Sequence, residues 1–251
     1  MLAMLVHGGT DLTAKVPTLS PWVDADLGVP ADQVAAALAA QNGRRVVKTH
    51  SPADGFPVWQ GVTVIAAYRH PLDVFFSLRN HTANRTNPGQ DDSTAWPLAQ
   101  SVDAYLDGAF VHDQVAQENL ASLTTQYTQT MLSGRLPDLK LFHYADMVRD
   151  GRGIVQALAR AAGKDADAGL VNKVTETTAF GAMKAKAADD TPVAGTGFWK
   201  SDMNFFHSAS SRKGQGKLSV AAFARYHHRL ADLIADVPAR GWLENGTGAS
   251  A

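Results

Sequence analysis

The chain has 251 residues, of which 45% are hydrophobic and 19% are charged, and its formal net charge is -1. This balance is typical of a globular protein; it excludes a globally disordered chain and argues against a general nucleic-acid-binding protein. Because cysteine is absent, disulfides, thiolate nucleophiles and zinc-thiolate clusters are excluded. The length is typical of an α/β protein with a single domain, which we expect over residues 1–251.

The amino-terminal part predicts two helices and a short strand. MLAMLVHGG, residues 1–9, has the form of a helix closed by glycines, and it lacks the length and the basic flank of a signal or membrane segment. A second helix is predicted over residues 32–41. RVVKT, residues 45–49, predicts a strand that places Lys48 and His50 at its carboxyl end. We expect a cytoplasmic protein without a membrane partner.

The chain is organised around residues 62–81, VTVIAAYRHPLDVFFSLRNH. Its apolar, β-branched beginning predicts a strand buried in a parallel sheet, which helices must cover. Pro71 suits the first position of the next helix, where Asp73 favours the helix dipole. Arg69 is then expected at the carboxyl end of the strand, where open α/β sheets bind ligands and where free N–H groups attract anions.

Arg69 and Ser77 are candidate phosphate ligands. Ser77 follows Asp73 by four residues, so the two share a helix face, and a serine hydroxyl can bind the same anion as the arginine. The alternative is an arginine paired with a surface carboxylate and a serine that the helix merely tolerates. This segment alone does not separate the two interpretations.

The middle of the chain predicts loops, helices and one more strand. Residues 82–97 are polar and predict a mobile loop over the site. Two helices are expected from Ser101, as an N-cap, to Met131, and then a strand, LKLFHY, that ends at Tyr144. Further helices are predicted at residues 151–162, 165–175, 178–186 and 220–234, followed by a frayed tail at 245–251.

Residues 187–216 are rich in Asp, Gly, Ser and Thr and predict a long irregular loop pinned by its aromatic side chains. Near its end, SASSRKGQGK holds three cations, no acid and two glycines, so backbone N–H groups can approach an anion together with Arg212 and Lys213. The alternative is a solvated basic turn. No metal is predicted, because the nine histidines form no HExxH pair and the adjacent His227 and His228 point to different parts of a helix surface.

Three motifs, KTHSP at 48–52, AAYRHPLDVFFS at 66–77 and RKG at 212–214, resemble in order and spacing the cytosolic-type sulfotransferases. That family transfers a sulfuryl group from 3'-phosphoadenosine 5'-phosphosulfate (PAPS) to a hydroxyl or amine and releases adenosine 3',5'-bisphosphate (PAP). The resemblance spans nearly the whole chain. It implies an α/β fold with a parallel β-sheet flanked by helices, similar to the P-loop nucleotide kinases, and a small-molecule acceptor.

The resemblance also assigns residues. His50 matches the general base that takes the acceptor proton, which suits an imidazole that titrates near neutrality, and Lys48 matches the lysine beside it. Tyr144, Thr178 and Phe180 match contacts on the adenine side. The positions that match the 3'-phosphate ligands are Arg69, Ser77, Arg212, Lys213 and Gly214.

The sequence departs from the family's pattern in several places. A PKSGTTW-type loop, which cradles the 5'-phosphosulfate in the family, is absent, and so is a GxxxxGK[ST] loop. Because MLAMLVHGG resembles the helix after that loop, we expect Met1 to be an internal methionine of an N-terminally truncated sequence; an intact mass of the natural protein equal to this sequence would contradict this. The tryptophan after RKG and the dimer segment are also unmatched, so the oligomeric state stays open.

Three functions are therefore considered. The leading hypothesis is a PAPS-dependent sulfotransferase. The second is a module that binds PAP without turnover, because the phosphosulfate loop is missing. The third is a small-molecule kinase, against which the missing Walker loop counts. The acceptor cannot be read from the sequence: Trp22 and Trp96 are candidates to line an apolar pocket, although core packing explains most aromatics.

Overall fold

A computed structural model of the chain describes residues 1–24, 30–89, 91–112 and 118–249. They form two compact units, which we call unit 1 and unit 2. Unit 1 comprises Met1–His50 and Asp150–Ser208, and unit 2 comprises Ser51–Arg149 and Ala209–Ala251. The single domain expected over residues 1–251 stays a prediction.

Helices predominate over strands in the described residues. In chain order the elements are α1 Leu2–His7, α2 Val16–Leu19, α3 Ala31–Ala40, β1 Val64–Tyr68, α4 Pro71–Asn84, α5 Leu98–Asp107, α6 Leu120–Met131, β2 Leu139–His143, α7 Tyr144–Arg149, α8 Gly151–Ala161, α9 Ala168–Thr177, α10 Phe180–Ala185, α11 Ala187–Asp190, α12 Val220–Leu233 and α13 Val237–Asn245.

The sheet of unit 2 is parallel, as the sequence predicts. β1 pairs with β2 in a register that runs from Val64 opposite Leu139 to Tyr68 opposite His143. The two strands therefore end side by side, and the residue after each end lies at the same edge of the sheet. Burial on both faces, which the apolar run predicts, is not complete, because Tyr68 is the buried residue of β1 and Ala67 is exposed.

Helix α4 packs one face into the core of unit 2. It begins at Pro71, as predicted, and buries Leu72, Phe75 and Phe76, which lie three or four residues apart on one side of the helix. The Tyr105 hydroxyl donates to the Pro71 carbonyl at 2.9 Å, which satisfies a buried polar group and fixes the beginning of the helix. The core cluster also contains Val102, Leu106, Leu120, Tyr127, Tyr226, Leu230, Ile234 and Leu243.

Unit 1 is built from helices that bury Leu5 of α1, Val155 of α8 and Val174 of α9. The carboxylate of Asp167 accepts the Leu170 N–H at 2.7 Å and caps α9. This cap explains why α9 begins at Ala168 rather than at the predicted residue 165. The predicted helices at 32–41, 151–162 and 178–186 are confirmed within two residues at each end.

The predicted strand at residues 45–49 is wrong. Lys48 makes one isolated parallel bridge with Trp22, and the rest of the segment is irregular. Lys48 donates its N–H to the Pro21 carbonyl at 2.9 Å and accepts the Val23 N–H at 3.0 Å, and no continuous ladder forms among the described residues. The side chains of Arg44, just before the segment, and of Arg45 donate to the carbonyls of Ala162 and Leu38.

The predicted N-cap at Ser101 is also wrong. α5 begins at Leu98, so the N-cap is Pro97, four residues before Ser101; a proline is well tolerated where a helix starts. Ser101 lies inside the helix, and its hydroxyl donates to the Ser93 carbonyl at 2.6 Å. Residues 113–117, within the stretch assigned to two helices, lie outside the described residues.

Part of the predicted mobile loop at 82–97 is regular structure. α4 continues through Asn84, and Ser93–Ala95 forms a short 3-10 helix. Arg79 donates to the carbonyls of Thr94 and Trp96, each at 2.9 Å, so α4 holds the far end of this segment. Gln90 lies outside the described residues.

The carboxyl end is more ordered than predicted. α13 was not predicted, because its sequence VPARGWLEN contains Pro, Gly and Asn; the Asp236 carboxylate caps it by accepting the Ala239 N–H at 2.7 Å. The Thr247 N–H donates to Asp146 at 3.0 Å, so the frayed tail is wrong at this point, while residues 250–251 lie outside the described residues.

The late loop is partly irregular and is pinned by aromatics, as predicted. Trp199 contacts Phe198 and Phe205 with ring centroids 4.7 and 5.4 Å apart, and its indole N–H donates to the Pro192 carbonyl at 2.8 Å. The first residues of this loop form the short helix α11. Across the described parts of the chain, none of the helices has the length and apolar character needed to cross a membrane.

Replacement of Leu243 by alanine tests the core of unit 2. The Leu243 side chain is 0% exposed, so Leu243→Ala should lower the free energy of unfolding by about 2–5 kcal/mol through lost burial and a cavity. Val237→Ala in the same helix is the control, because Val237 is 63% exposed and should change the free energy by no more than about 0.5 kcal/mol. Denaturant unfolding measures both; equal losses would contradict this core.

Candidate functional site

The carboxyl ends of β1 and β2 place two candidate residues in contact. Arg69 follows β1 and Tyr144 follows β2, and the guanidinium carbon of Arg69 lies 4.0 Å from the centroid of the tyrosine ring, in a cation–π contact. The Nδ1 atom of His70 accepts the Leu72 N–H at 3.2 Å, and Nδ1 of His143 accepts the Ala145 N–H, also at 3.2 Å. Imidazoles thus cap both strand-to-helix turns and fix the direction in which the chain leaves each strand.

Asp73 connects this edge of the sheet to the loop at 209–217. Its side chain is buried, with the residue 1% exposed, and its carboxylate accepts the backbone N–H groups of Arg212 at 2.9 Å and of Lys213 at 2.5 Å. Nε of Arg69 is 3.8 Å from the same carboxylate. Asp73 is therefore not the surface carboxylate of the alternative interpretation.

Arg69 is held on its other side by the same loop. Its Nη2 donates to the Ser210 carbonyl at 2.7 Å, while its Nε is buried and makes no hydrogen bond to any described residue. A buried guanidinium N–H without an acceptor is costly, since buried donors are normally paired. This N–H is therefore well suited to an anionic ligand.

Lys213 is nearly buried beside these groups, with 9% of its surface exposed. Burial, and then repulsion by Arg69 and Lys217, lower the pKa of Lys213 to about 8, although Asp73 acts in the opposite direction. The ammonium makes no hydrogen bond or ion pair with the described residues. An added anion would stabilise its charged form.

Gly214 lets the loop lie directly on α4. A Cβ atom at this position would be 3.3 Å from the ring of Phe76 and 3.5 Å from Leu72, so a larger residue would push the loop away. Gly214 is buried, yet its backbone N–H has no hydrogen-bond partner among the residues described. The ammonium of Lys217 also contacts this ring, at 4.8 Å from the centroid of Phe76.

The side chains at the carboxyl ends of β1 and β2 carry more positive than negative charge. Arg69, Arg212, Lys213 and Lys217 carry positive charge, and Asp73 carries a carboxylate that contacts the first three of them. Together with the free N–H of Gly214, this arrangement suits a multiply charged oxyanion such as a phosphate monoester.

Ser77 lies four residues after Asp73 on α4 and is half-buried. Its hydroxyl makes no hydrogen bond to any residue that the structure describes, so it remains able to donate to a ligand. The position on the same helix face as Asp73 agrees with the sequence prediction.

His50 and Lys48 lie together in unit 1, around Trp22. The Lys48 ammonium is 4.1 Å from the centroid of the Trp22 ring, and the His50 ring centroid is 4.2 Å from it at an interplanar angle of 60°. Asp24 accepts the His50 backbone N–H at 2.9 Å and the Thr49 hydroxyl at 2.5 Å. The irregular segment thus still places Lys48 and His50 side by side.

The environment keeps His50 neutral. Partial desolvation of the imidazole, and then repulsion by the Lys48 ammonium, lower the pKa of His50, while Asp24 opposes the shift. The pKa of Lys48 is lowered mainly by partial burial. A neutral, exposed imidazole can accept a proton at neutral pH.

Thr178 and Phe180 lie at the junction of α9 and α10 in unit 1. Thr178 is buried, and its hydroxyl donates to the Val174 carbonyl at 2.7 Å, so only its oxygen lone pairs are open to a ligand. Phe180 begins α10 and contacts Phe206 with ring centroids 6.5 Å apart. The structure therefore brings Arg69, Tyr144, Arg212, Lys213 and Gly214 together in unit 2, and Lys48 with His50 in unit 1.

Sequence reasoning missed three contacts at these sites. It gave Asp73 only a helix-dipole role, although its spacing of four residues from Arg69 was a signal of proximity. No local signal connects Trp22 and Asp24 with His50, because they are more than 20 residues apart in the chain. Within residues 1–24, 30–89, 91–112 and 118–249, no group of three or more His, Asp or Glu side chains is placed to hold a metal ion.

Comparison with known proteins places this fold and these motifs in one family. A family described as "Sulfotransferase domain" matches residues 7–237. A "Glycolipid sulfotransferase" of Mycobacterium bovis is 28% identical over 273 residues, covering 98% of this chain and 83% of that protein. The glycolipid sulfotransferase Rv1373 of Mycobacterium tuberculosis is 28% identical over 272 residues with the same coverage.

Solved structures show the same fold. Retinol dehydratase in complex with androsterone and inactive cofactor PAP has a TM-score of 0.71 at 14% identity, with 94% of this chain and 76% of that chain covered. Mouse sulfotransferase SULT7A1 complexed with PAP has a TM-score of 0.66 at 14% identity, with coverages of 86% and 74%. The predicted α/β class, with a parallel sheet and the P-loop-like sulfotransferase fold, is confirmed.

These matches define the class of the protein as a transferase. The chain belongs to the sulfotransferase family and is an enzyme of that family.

The lowered pKa of Lys213 can be measured directly. NMR titration of the lysine side chains should give Lys213 a midpoint near the value of about 8, below the ordinary 10.5. Arg69→Gln removes a neighbouring positive charge and should raise this pKa. Arg225→Gln, which removes a charge paired instead with Asp103 and Asp107, should leave it unchanged; a Lys213 midpoint at 10.5 in the unaltered protein would contradict the described environment.

Proposed function

We propose that this protein transfers a sulfuryl group from PAPS to a hydroxyl, or an amine, of a small-molecule acceptor. The observation that carries the proposal is the excess of positive charge at the ends of β1 and β2, where Arg69 and Lys213 lie beside the buried Asp73. The solved neighbours that are complexes with PAP have the same fold and support this choice of nucleotide.

The 3'-phosphate of the donor is assigned to this cluster. Arg69 has an unsatisfied Nε and Gly214 has an unsatisfied N–H, and both can donate to phosphate oxygens. Lys213 and Arg212 add positive charge, and the Ser77 hydroxyl adds a neutral donor. Five donors of this kind favour a phosphate monoester dianion over a singly charged group such as a carboxylate.

Tyr144 lies against Arg69 and is assigned to the adenine side of the same nucleotide, where an aromatic face can stack on a base. Thr178 and Phe180 are assigned to the adenine side as well, on the family resemblance. No metal is required by this arrangement, since the side chains themselves supply positive charge.

His50 is proposed as the general base. The neutral imidazole takes the proton of the acceptor hydroxyl while the hydroxyl oxygen forms a bond to the sulfur of PAPS. On the opposite side of the sulfur, the bond to the 5'-phosphate oxygen breaks, and PAP leaves with that oxygen. Lys48, which holds its ammonium next to the imidazole over Trp22, is positioned to stabilise the negative charge that develops during transfer. Positioning and charge stabilisation then supply most of the rate enhancement.

The relatives support a choice of acceptor class to test. Both mycobacterial relatives carry the name glycolipid sulfotransferase, so a sugar hydroxyl of a glycolipid is the first acceptor to test. The solved structures of retinol dehydratase are complexes with androsterone and with retinol, which are also small molecules with a hydroxyl. The cytoplasmic location expected from the sequence stays a prediction.

The alternative is a module that binds PAP without turnover. It is favoured by one observation, the absence of a PKSGTTW-type segment from the 251 residues. Binding and turnover must therefore be measured separately.

A thermal-shift titration tests the nucleotide assignment. PAP at ~100 times its dissociation constant should stabilise the protein by about 2.7 kcal/mol, with a rise of about 2–4 °C in Tm for each kcal/mol. Adenosine 5'-monophosphate, which lacks the 3'-phosphate, should stabilise it much less, and Arg69→Gln should reduce the difference between the two nucleotides. Arg225→Gln is the matched control. A larger shift with ATP than with PAP would instead favour the kinase.

Replacement of His50 separates chemistry from binding. His50→Ala should lower kcat by about 10²–10⁴ because proton transfer is lost, while the dissociation constant for PAP stays unchanged. His228→Ala, at an exposed position of α12, is the control and should retain activity. Loss of PAP binding together with turnover would remove His50 from the role of base, and binding without turnover in the unaltered protein would favour the PAP-binding module.

A further inference from the structure

Asp73 is an unusual neighbour for a phosphate. Its carboxylate is buried, with the residue 1% exposed, and lies 3.8 Å from Nε of Arg69. A negative charge there repels an incoming dianion and weakens the field of Arg69 and Lys213. If charge alone mattered, the site would bind phosphate better without this carboxylate.

The hydrogen bonds of Asp73 show what it contributes instead. Oδ2 accepts the Arg212 N–H at 2.9 Å and Oδ1 accepts the Lys213 N–H at 2.5 Å, so the carboxylate uses both oxygens on consecutive residues of the loop. Arg212 has a φ of 59°, a left-handed conformation that is strained for a residue with a side chain. The two hydrogen bonds can hold this conformation, because bonds to a buried charged acceptor are among the strong ones.

The held conformation has a consequence for the next residue. With the N–H groups of Arg212 and Lys213 bonded to Asp73, the N–H of Gly214 is the next donor along the loop, and it has no partner among the described residues. Lys213 is held so that its ammonium lies near Arg69, which contributes to its pKa shift. The loop is thus arranged by hydrogen bonds within the protein itself.

We propose that Asp73 is a positioning residue, which fastens the loop at 209–217 to α4 by the two N–H bonds and so holds Lys213 and Gly214 in place for the 3'-phosphate. The inference rests on the proposed function. It adds that the repulsive charge of Asp73 is outweighed by the order that it imposes on the loop, since a preorganised loop loses less conformational entropy on binding.

Asp73→Asn is the direct test, because it removes the charge and replaces one acceptor oxygen with an amide NH₂ that cannot accept the loop N–H. Isothermal titration should show that the variant binds PAP about tenfold or more weakly, since it has lost a charge-assisted hydrogen bond to the loop. Binding of adenosine 5'-monophosphate should change by less than about twofold. The KM for PAPS should rise in parallel, with kcat unchanged.

Asp236→Asn is the matched control. Asp236 also accepts a backbone N–H in unit 2, from Ala239 at the start of α13, but it contacts none of the proposed phosphate ligands. Its replacement should leave the ratio of PAP to adenosine 5'-monophosphate affinities unchanged. If Asp73→Asn binds PAP as tightly as the unaltered protein or more tightly, Asp73 is only a counter-ion of Arg69. If the variant loses affinity equally for PAP and for adenosine 5'-monophosphate, Asp73 has a general structural role. Either result overturns the proposal.

Hydrogen exchange of the unaltered protein provides a measurement that does not depend on the variant folding. Without nucleotide, the amides of Arg212 and Lys213 should exchange more slowly than that of Gly214, and PAP should then slow Gly214. If Arg212 and Lys213 exchange as fast as Gly214, the fastening does not exist. If the unaltered protein does not prefer PAP to adenosine 5'-monophosphate, the assignment of the phosphate site itself fails, which is a different result from failure of Asp73 alone.

Discussion

The parallel pairing of β1 with β2 is the constraint on which the site of unit 2 depends. Because Tyr68 lies opposite His143, both strands end at the same level, and the residues that follow them, Arg69 and Tyr144, are in contact. An antiparallel pair would place these two ends at opposite edges of the sheet. The cation–π contact between Arg69 and Tyr144 follows from this register.

Helix α4 joins the core of unit 2 to this site. One face buries Leu72, Phe75 and Phe76, and the turn at its beginning presents Asp73 to the loop at 209–217. Phe76 belongs to both arrangements, because Gly214 packs against its ring. The core therefore fixes the rotation of the helix, and through it the position of the carboxylate that holds the loop.

Burial gives the site its chemical character. Burial is the main cause of the lowered pKa of Lys213, and repulsion by the nearby Arg69 lowers it further, because the low dielectric of the interior strengthens the repulsion between like charges. An enzyme that must bind a dianion can use such a cluster, because the ligand relieves the repulsion when it binds. In unit 1 the same effects act on His50, where crowding and the Lys48 ammonium favour the neutral imidazole. Burial and repulsion between cations thus lower the pKa of Lys213 in unit 2 and the pKa of His50 in unit 1.

The sequence by itself determined the strand at 64–68, the beginning of α4 at Pro71 and the class of the fold, because these depend on local apolar runs and on the fixed backbone of proline. It also identified the three motifs by which the family is recognised. It failed at residues 45–49, where one isolated bridge between Lys48 and Trp22 stands in place of the expected strand, and at α13, whose weak helical sequence is stabilised by a cap and a buried leucine. Only the tertiary structure decided that Asp73 holds Arg212 and Lys213, and that Trp22 lies against Lys48 and His50. These contacts join residues far apart in the chain, and local sequence patterns report only on neighbouring residues.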